Sequence, residues 1–149
     1  MRIALLQMNS RTAARDENVR HACGLIDEAA RGGAQLIVLP EFFNNEYFPQ
    51  YRDSRYMDYA EPEDGPTQRC IKARARQHGL HIVSTIFEMA RPGLYYNTAM
   101  LIDPDGDCGK VPKGSPCGAA RSRKDLFSGR LVVPRVYSAG LAARHFDLL

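Results

Sequence analysis

The stretch that decides the fold is LIVLPEFFNNEYFP, residues 36–49, where an apolar run ends at a proline and a glutamate. The segment AQLIVLP (34–40) predicts a strand of a parallel sheet that is buried on both faces. Open α/β sheets place functional groups outside the carboxyl ends of their strands, which makes Glu41 the first candidate for chemistry. Composition alone favours a solvated loop glutamate. Burial behind the neighbouring aromatics would instead raise the pKa of its carboxylate and suit it to proton transfer. The aromatics are Phe42, Phe43, Tyr47 and Phe48.

The sequence on both sides of this stretch predicts a β-α-β unit. RIALLQM (2–8) is a short apolar strand, and a helix follows from Asp16. The apolar stripe of that helix consists of Val19, Cys23, Ile26 and Ala30. Gly32 and Gly33 end the helix.

The pattern then continues with a second helix and two strands. Thr67 is predicted to cap a helix over QRCIKARARQHG (68–79), and LHIVSTIFEMA (80–90) is the next strand. A hairpin joins it to LYYNTAMLIDPDG (94–106), with a Pro-Asp-Gly turn after Asp103.

Two weaker patterns have simpler explanations than metal binding. His78 and His81 are close enough in sequence to suggest a pair of metal ligands, but their position at the turn between a helix and a strand explains them better. Asp103 and Asp105 lack the later glutamate of a calcium loop and are better explained by the hairpin turn. The sequence therefore predicts no metal site.

Length and composition are those of one globular domain. The chain has 149 residues, of which 44% are hydrophobic and 25% charged. It contains no apolar run that approaches the length of a membrane span, roughly 18 residues. The apolar segment at its start, MRIALLQM, is too short for the hydrophobic region of a secretory signal. We expect a cytoplasmic protein that does not bind membranes. Its cysteines form no CxxC pair and are expected to be free thiols; they are Cys23, Cys70, Cys108 and Cys117.

The charge distribution divides the chain near residue 110. Residues 1–110 carry 13 Lys and Arg against 15 Asp and Glu, whereas residues 111–149 carry 7 against 2. A basic tail is compatible with a nucleic-acid-binding arm, but this one lacks interleaved aromatics and clustered lysines. We therefore expect no nucleic-acid partner.

Four segments together resemble the nitrilase (carbon–nitrogen hydrolase) superfamily, collinearly over residues 1–110. They are MRIALLQMNS (1–10), LPEFFNNEYFP (39–49), YAEPEDGPT (59–67) and YYNTAMLIDPDG (95–106). Within this superfamily, the sequences of these segments look closest to those of aliphatic amidases and N-carbamoyl-amine hydrolases. The resemblance implies half of an α-β-β-α sandwich, a protein of the α/β class, followed by an irregular C-terminal tail.

The same resemblance implies hydrolysis by a Glu-Lys-Cys triad without a cofactor. In that mechanism a cysteine thiolate attacks an amide, N-carbamoyl or nitrile carbon, a glutamate is the general base, and a lysine stabilises the developing oxyanion. The matching glutamate is Glu41, and Lys113 falls at the lysine position. Tyr47 and Phe48 would lie near the pocket for a small amide or N-carbamoyl substrate. Asn97 is also at a family-like position, but we expect it to hydrogen-bond within the hairpin.

The resemblance stops in GKVPKGS, residues 109–115. The family motif reads G-K-Y-R-K-x-H, and only Gly109, Lys110 and Lys113 are in register with it. The family's I-C-Y/W-D nucleophile motif is absent from residues 1–149, since neither Cys108 nor Cys117 has that context. We therefore predict that the chain by itself is inactive.

A single inserted base near codon 111 would explain the break. Read one base later, residues 111–115 permit Tyr-Arg-Lys-Val-His, and residues 123–127 permit Glu-Lys-Ile-Tyr-Phe. Residues 133–136 likewise permit Phe-Pro-Val-Phe, and residues 147–149 permit Ile-Cys-Tyr. All four match the family in order. A divergent native C-terminus is the competing hypothesis.

These observations predict a partial hydrolase domain over residues 1–110 and a frameshifted or divergent tail over 111–149 with little stable structure. Half a sandwich leaves sheet edges and an apolar face uncovered, so we expect poor solubility or partial folding. The full-length protein is expected to form homo-oligomers, as family members usually do. The alternative function is a non-catalytic remnant, or a scaffolding or dimerising fragment, of the same fold.

Overall fold

The computed structural model describes residues 1–51, 53–106 and 108–113. These form one five-stranded sheet in the order β1-β2-β3-β4-β5. The strands are β1 (Ile3–Leu5), β2 (Leu36–Val38), β3 (His81–Arg91), β4 (Leu94–Ile102) and β5 (Cys108–Lys113). The helices are α1 (Arg15–Arg31) and α2 (Pro66–His78), with short 3-10 helices at Phe48–Gln50 and Ser54–Tyr59. No helix among the described residues is long and apolar enough to cross a membrane.

The predicted alternation of strands and helices is confirmed. Strands β1, β2 and β3 are parallel neighbours, with α1 connecting the first two and α2 the next two. Strands β3 and β4 form the expected antiparallel hairpin, and the turn after Asp103 closes through a hydrogen bond from the Gly106 N–H to the Asp103 carbonyl (2.9 Å). The α/β class is therefore correct.

Helix α1 ends as its sequence predicts, but the start of α2 differs. Gly32 caps α1, and Gly33 takes a positive φ of 80° that only glycine adopts cheaply. Helix α2 begins at Pro66, so Thr67 lies inside the first turn and the prediction that it is the N-cap is wrong. The carboxylate of Glu61 caps α2 instead, because it accepts hydrogen bonds from the Thr67 N–H (2.9 Å) and hydroxyl (2.5 Å).

One face of the sheet, here called the helix face, carries the core. Its side chains are fully or almost fully buried against α1 and α2 and comprise Ile37, Ile82, Ile86, Met100 and Ile102. The helices contribute Ile26 and Ile71, both at 0% exposure. Each such side chain contributes about 1.5–3 kcal/mol to stability through apolar burial.

The opposite face, here called the open face, is covered only in part by described residues. Ile3 and Leu5 of β1 are 46% and 77% exposed, and Leu36 and Val38 of β2 are half-buried. The expectation that β2 is buried on both faces is therefore wrong, since Ile37 alone is fully buried. Alternate residues of a strand point to opposite faces, so covering one face buries only every second side chain.

Strand β5 crosses the predicted boundary at residue 110. It runs from Cys108 to Lys113 and pairs antiparallel with β4, so residues 111–113 continue the sheet. The remainder of the predicted tail, residues 114–149, lies outside the described residues, and so do Cys117 and the shifted motifs from residue 123 onwards.

Candidate active site

Glu41 lies three residues beyond the carboxyl end of β2, where open α/β sheets place their functional groups. The chain stays bound to the sheet up to Leu39, whose N–H donates to the Val83 carbonyl (3.0 Å). It then leaves through Phe42, a non-glycine residue at a positive φ of 57°. Such a backbone costs about 1–3 kcal/mol and persists only where the surroundings fix it.

Side chains from elsewhere in the chain hold the loop after Glu41, here called the glutamate loop (residues 41–51). The Ser10 hydroxyl donates to the carbonyls of Phe42 (2.8 Å) and Phe43 (3.0 Å), and Phe43 is fully buried. Asn18 of α1 donates to the Asn44 carbonyl (3.2 Å). Together these contacts explain how the strained residue beside Glu41 is maintained.

The Glu41 carboxylate is exposed and is held by Asn97. The side-chain amide of Asn97 in β4 donates a hydrogen bond to Glu41 Oε1 (2.5 Å). Of the two alternatives for Glu41, the solvated one agrees with the structure, because the aromatics do not bury it. Our expectation for Asn97 is wrong, because it does not serve the hairpin alone. The aromatic rings pack mainly on one another, and Asn97 projects from the face of β4 opposite Met100, towards the loop.

The sheet register brings the lysine segment to the same place. Lys113 of β5 is the Cα partner of Asn97 of β4, directly across the two antiparallel strands. Glu41 and Lys113 are 72 positions apart in sequence, yet Asn97 touches one and pairs with the backbone of the other. The fold thus places the two predicted catalytic positions on either side of a single asparagine.

The two predicted substrate-pocket residues have different environments. Tyr47 is 51% exposed and packs edge-on against Phe42, with ring centroids 5.3 Å apart. Phe48 is 5% exposed and lies inside an aromatic cluster, 5.0 Å from Phe87 of β3 and 5.3 Å from Phe42. Tyr47 is therefore available to contact a ligand in solution, whereas Phe48 supports the loop from within.

A tyrosine and a glutamate fix the outer end of the glutamate loop. The Tyr59 hydroxyl donates to Glu46 Oε1 (2.9 Å), and Glu46 Oε2 accepts from the Ala13 N–H (3.2 Å). Burial raises the pKa of Tyr59 above 10.0, and the hydrogen bond to Glu46 adds to the rise. Glu46 is therefore a structural carboxylate, in contrast to the exposed Glu41 in the same loop.

Sequence reasoning missed two buried acidic residues. Glu61 and Glu88 are 3% and 2% exposed, and their backbones pair as an isolated bridge. The Thr98 hydroxyl donates to Glu88 Oε2 (2.6 Å), as that of Thr67 does to Glu61. A polar residue within an apolar stretch was the only signal in the sequence for these buried glutamates. Their threonine partners become neighbours only in the folded chain.

Neither weak metal pattern forms a site among the described residues, where no cluster of three or more potential ligands occurs. His78 ends α2 and His81 begins β3, which is the corner that the sequence predicts. His78 Nε2 lies 2.7 Å from Asp27 Oδ1 of α1 instead.

Comparison with known proteins identifies the wider family. The family model for carbon–nitrogen hydrolases matches residues 2–138. An omega-amidase of Bos taurus is 34% identical over 105 residues, covering 70% of this chain and 36% of the relative. A nitrilase of Pyrococcus abyssi is 34% identical over 113 residues, covering 76% of this chain and 43% of the relative.

Solved structures agree on the fold. A carbon–nitrogen hydrolase from Helicobacter pylori superposes with a TM-score of 0.73 at 22% identity, covering 87% of this chain and 44% of that one. A superfamily protein from Xanthomonas campestris, solved with an arsenic adduct in its active site, gives 0.65 at 26% identity, covering 75% and 40%. This chain thus spans less than half the length of these four proteins. Since the family match extends over most of its residues, the chain belongs to the carbon–nitrogen hydrolase family.

Proposed function

We propose that this chain carries the general-base half of a hydrolase that cleaves non-peptide C–N bonds in small molecules. The observation that supports this most directly is the hydrogen bond from Asn97 to the exposed carboxylate of Glu41. A general base must be held within reach of its substrate proton, and an amide donor fixes a carboxylate without neutralising it.

In the proposed reaction Glu41 takes the proton of a cysteine thiol. The thiolate attacks the carbonyl carbon of the amide, and the C–N bond of the tetrahedral intermediate breaks as Glu41 gives its proton to the nitrogen, which leaves as ammonia. A water molecule, deprotonated by Glu41, then attacks the thioester and releases the acid and the thiol. Lys113 stabilises the oxyanion in both steps, and its register opposite Asn97 supports this assignment.

The nucleophile is the part of this mechanism that residues 1–149 do not supply in a family-like context. We therefore propose that this chain does not hydrolyse amides by itself. The shifted reading frame permits lysine at position 113 and the Ile-Cys-Tyr motif at residues 147–149. A chain continued in that frame would have all three members of the triad.

Amides are the substrate class that we favour over N-carbamoyl compounds and nitriles. The omega-amidase relatives support amides. The nitrilase relative supports nitriles, and the sequences of the motifs support N-carbamoyl compounds, so both classes remain alternatives. Tyr47, the exposed ring of the glutamate loop, is the side chain that we expect to contact the substrate. We place the reaction in the cytoplasm and expect the full-length enzyme to be a homo-oligomer.

The test begins with resequencing the coding DNA from codon 100 to beyond the stop codon. The repaired chain should release ammonia from amides, and the 149-residue chain should release none. Glu41→Gln should lower kcat of the repaired enzyme by about 100-fold or more, which is the range for a lost general base. Glu46→Gln is the matched control in the same loop, because Glu46 binds Tyr59 and Ala13 and not Asn97.

Asn97→Ala separates positioning from catalysis. It should lower kcat about 10-fold to 100-fold while leaving KM almost unchanged, since it releases the base but not the substrate. Equal activity of Glu41→Gln and wild type would refute the assignment of Glu41. Ammonia release by the 149-residue chain would refute the need for the downstream motif.

The alternative function, a non-catalytic scaffolding or dimerising fragment, is favoured by the open face. Leu5 at 77% exposure and Ile3 at 46% present apolar surface beside each other on an edge strand. An unshifted reading frame together with a stable dimer of the 149-residue chain would favour this function over hydrolysis.

A further inference from the structure

Two cysteines from different helices meet at the interface of α1 and α2. Cys23 Sγ of α1 lies 2.7 Å from Cys70 Sγ of α2, although both are free thiols. A disulfide bond is about 2.0 Å long, so the two sulfur atoms are within about 0.7 Å of bonding distance. The pair lies on the helix face, away from Glu41, and has no part in the proposed hydrolysis.

The neighbouring side chains hold the two helices in this register. Asp27, one turn after Cys23, lies 3.1 Å from Arg74 Nε, one turn after Cys70. The same Asp27 carboxylate lies 2.7 Å from His78 Nε2, a further turn along α2. Because three successive turns of α2 contact α1, the sulfur atoms meet through the regular packing of the helices.

The two thiols differ in accessibility, which sets the order in which they react. Cys23 is 2% exposed, and burial, followed by the contact with Cys70, raises its pKa to about 12. Cys70 is only partly buried and can be reached from solvent. The attacking thiolate is therefore Cys70, and Cys23 is the resolving thiol.

We infer that Cys23 and Cys70 form a redox-sensitive pair that closes to a disulfide linking α1 to α2 when a low-molecular-weight disulfide is present. The Cys70 thiolate attacks one sulfur of oxidised glutathione and expels one glutathione thiolate, which takes up a proton. Cys23 then loses its proton, attacks the Cys70 sulfur of the mixed disulfide and expels the second glutathione. Two protein thiols are oxidised by two electrons, and one glutathione disulfide is reduced to two thiols.

Closure should stabilise the helix layer under the glutamate loop. The link joins residues 47 positions apart, so it removes much of the freedom of the unfolded chain. Native geometry changes little, because the sulfur atoms are already close. We expect the melting temperature of the oxidised chain to exceed that of the reduced chain by about 5–10 °C.

Peptide mapping tests the pairing directly. The 149-residue chain is incubated with oxidised glutathione, its remaining thiols are alkylated, and it is digested with trypsin without reduction. The peptides 21–31 and 70–72, which contain Cys23 and Cys70, should be recovered joined and lighter by two hydrogen atoms than their sum. The joined peptide should disappear after treatment with dithiothreitol.

Two variants serve as controls. The double variant Cys108→Ser/Cys117→Ser should retain the link and the thermal shift, whereas Cys70→Ser should lose both. Glutathione that remains on Cys70 while Cys23 stays reduced would overturn the proposal. So would predominant pairing with Cys108 or Cys117, or a melting temperature that falls on oxidation.

Discussion

The helix face and the open face belong to the same strands but differ in how they are used. On the helix face, Ile37 and Ile82 are fully buried against α1 and α2. On the open face, Leu5 is exposed, while Asn97 meets Glu41 further along the sheet. One face therefore provides stability, and the other presents both apolar surface and the candidate site.

This difference shows how one sheet separates folding from chemistry. The side chains of a strand alternate, so each strand contributes to both faces regardless of its function. Asn97, which holds the Glu41 carboxylate, comes from the open face and not from the core on the helix face. Substitutions on the two faces should accordingly separate stability from function.

The largest expected effect is the loss of a core side chain. Ile82→Ala should lower the free energy of unfolding by about 3–4 kcal/mol, because it leaves a cavity beneath α1 and α2. Leu5→Ala on the open face should change it by about 0.5 kcal/mol or less. Urea unfolding measures both, and equal losses would contradict the division between the faces.

A smaller loss is expected from the cap that fixes α2 over the helix face. Glu61→Gln should cost about 2 kcal/mol, since it weakens two charge-assisted hydrogen bonds to Thr67 in a buried setting. Asp64→Asn is the control, because Asp64 is exposed and its ion pair with Lys72 is worth about 0.5 kcal/mol or less. Thermal unfolding that ranks the two variants equally would rule out Glu61 as the cap.

The open face is tested by solubility. Leu5→Lys should raise the soluble fraction of the 149-residue chain several-fold while altering its unfolding free energy by less than about 0.5 kcal/mol. Sedimentation of lysates gives the soluble fraction. Ile37→Lys is the opposite-face control and should abolish folding, because it buries a charge. A wild-type chain as soluble as the Leu5→Lys variant would contradict our expectation of an aggregation-prone half sandwich.

The smallest effect concerns the loop over the open face at high pH. The pKa of Tyr59 is raised in the folded state, so its contribution is complete below pH 10.0 and is lost as the pH rises above that value. Tyr59→Phe should therefore show a shallower decline of melting temperature above pH 10.0 than wild type. Equal slopes for Tyr59→Phe and wild type in this pH range would contradict this role of Tyr59.

The sequence predicted most of the elements and the position of Glu41, for local reasons. Apolar runs and glycine stops are properties of consecutive residues, and Glu41 follows a strand end that any parallel sheet would expose. The N-cap of α2 was misassigned because a carboxylate six positions away from Thr67 outcompeted the local threonine. The sequence left open whether Glu41 is solvated or buried, and the fold decided it, because its aromatic neighbours in sequence pack on one another in space.

The sequence by itself determined the α/β class, the resemblance to carbon–nitrogen hydrolases and the absence of the I-C-Y/W-D motif from residues 1–149, because these depend on residue identity and order. Only the tertiary structure decided that Asn97 holds Glu41, that Lys113 pairs with Asn97, and that Cys23 meets Cys70. These contacts span 56, 16 and 47 positions along the chain. No local pattern encodes them, since strand register and helix packing are set by how the whole sheet buries its apolar residues.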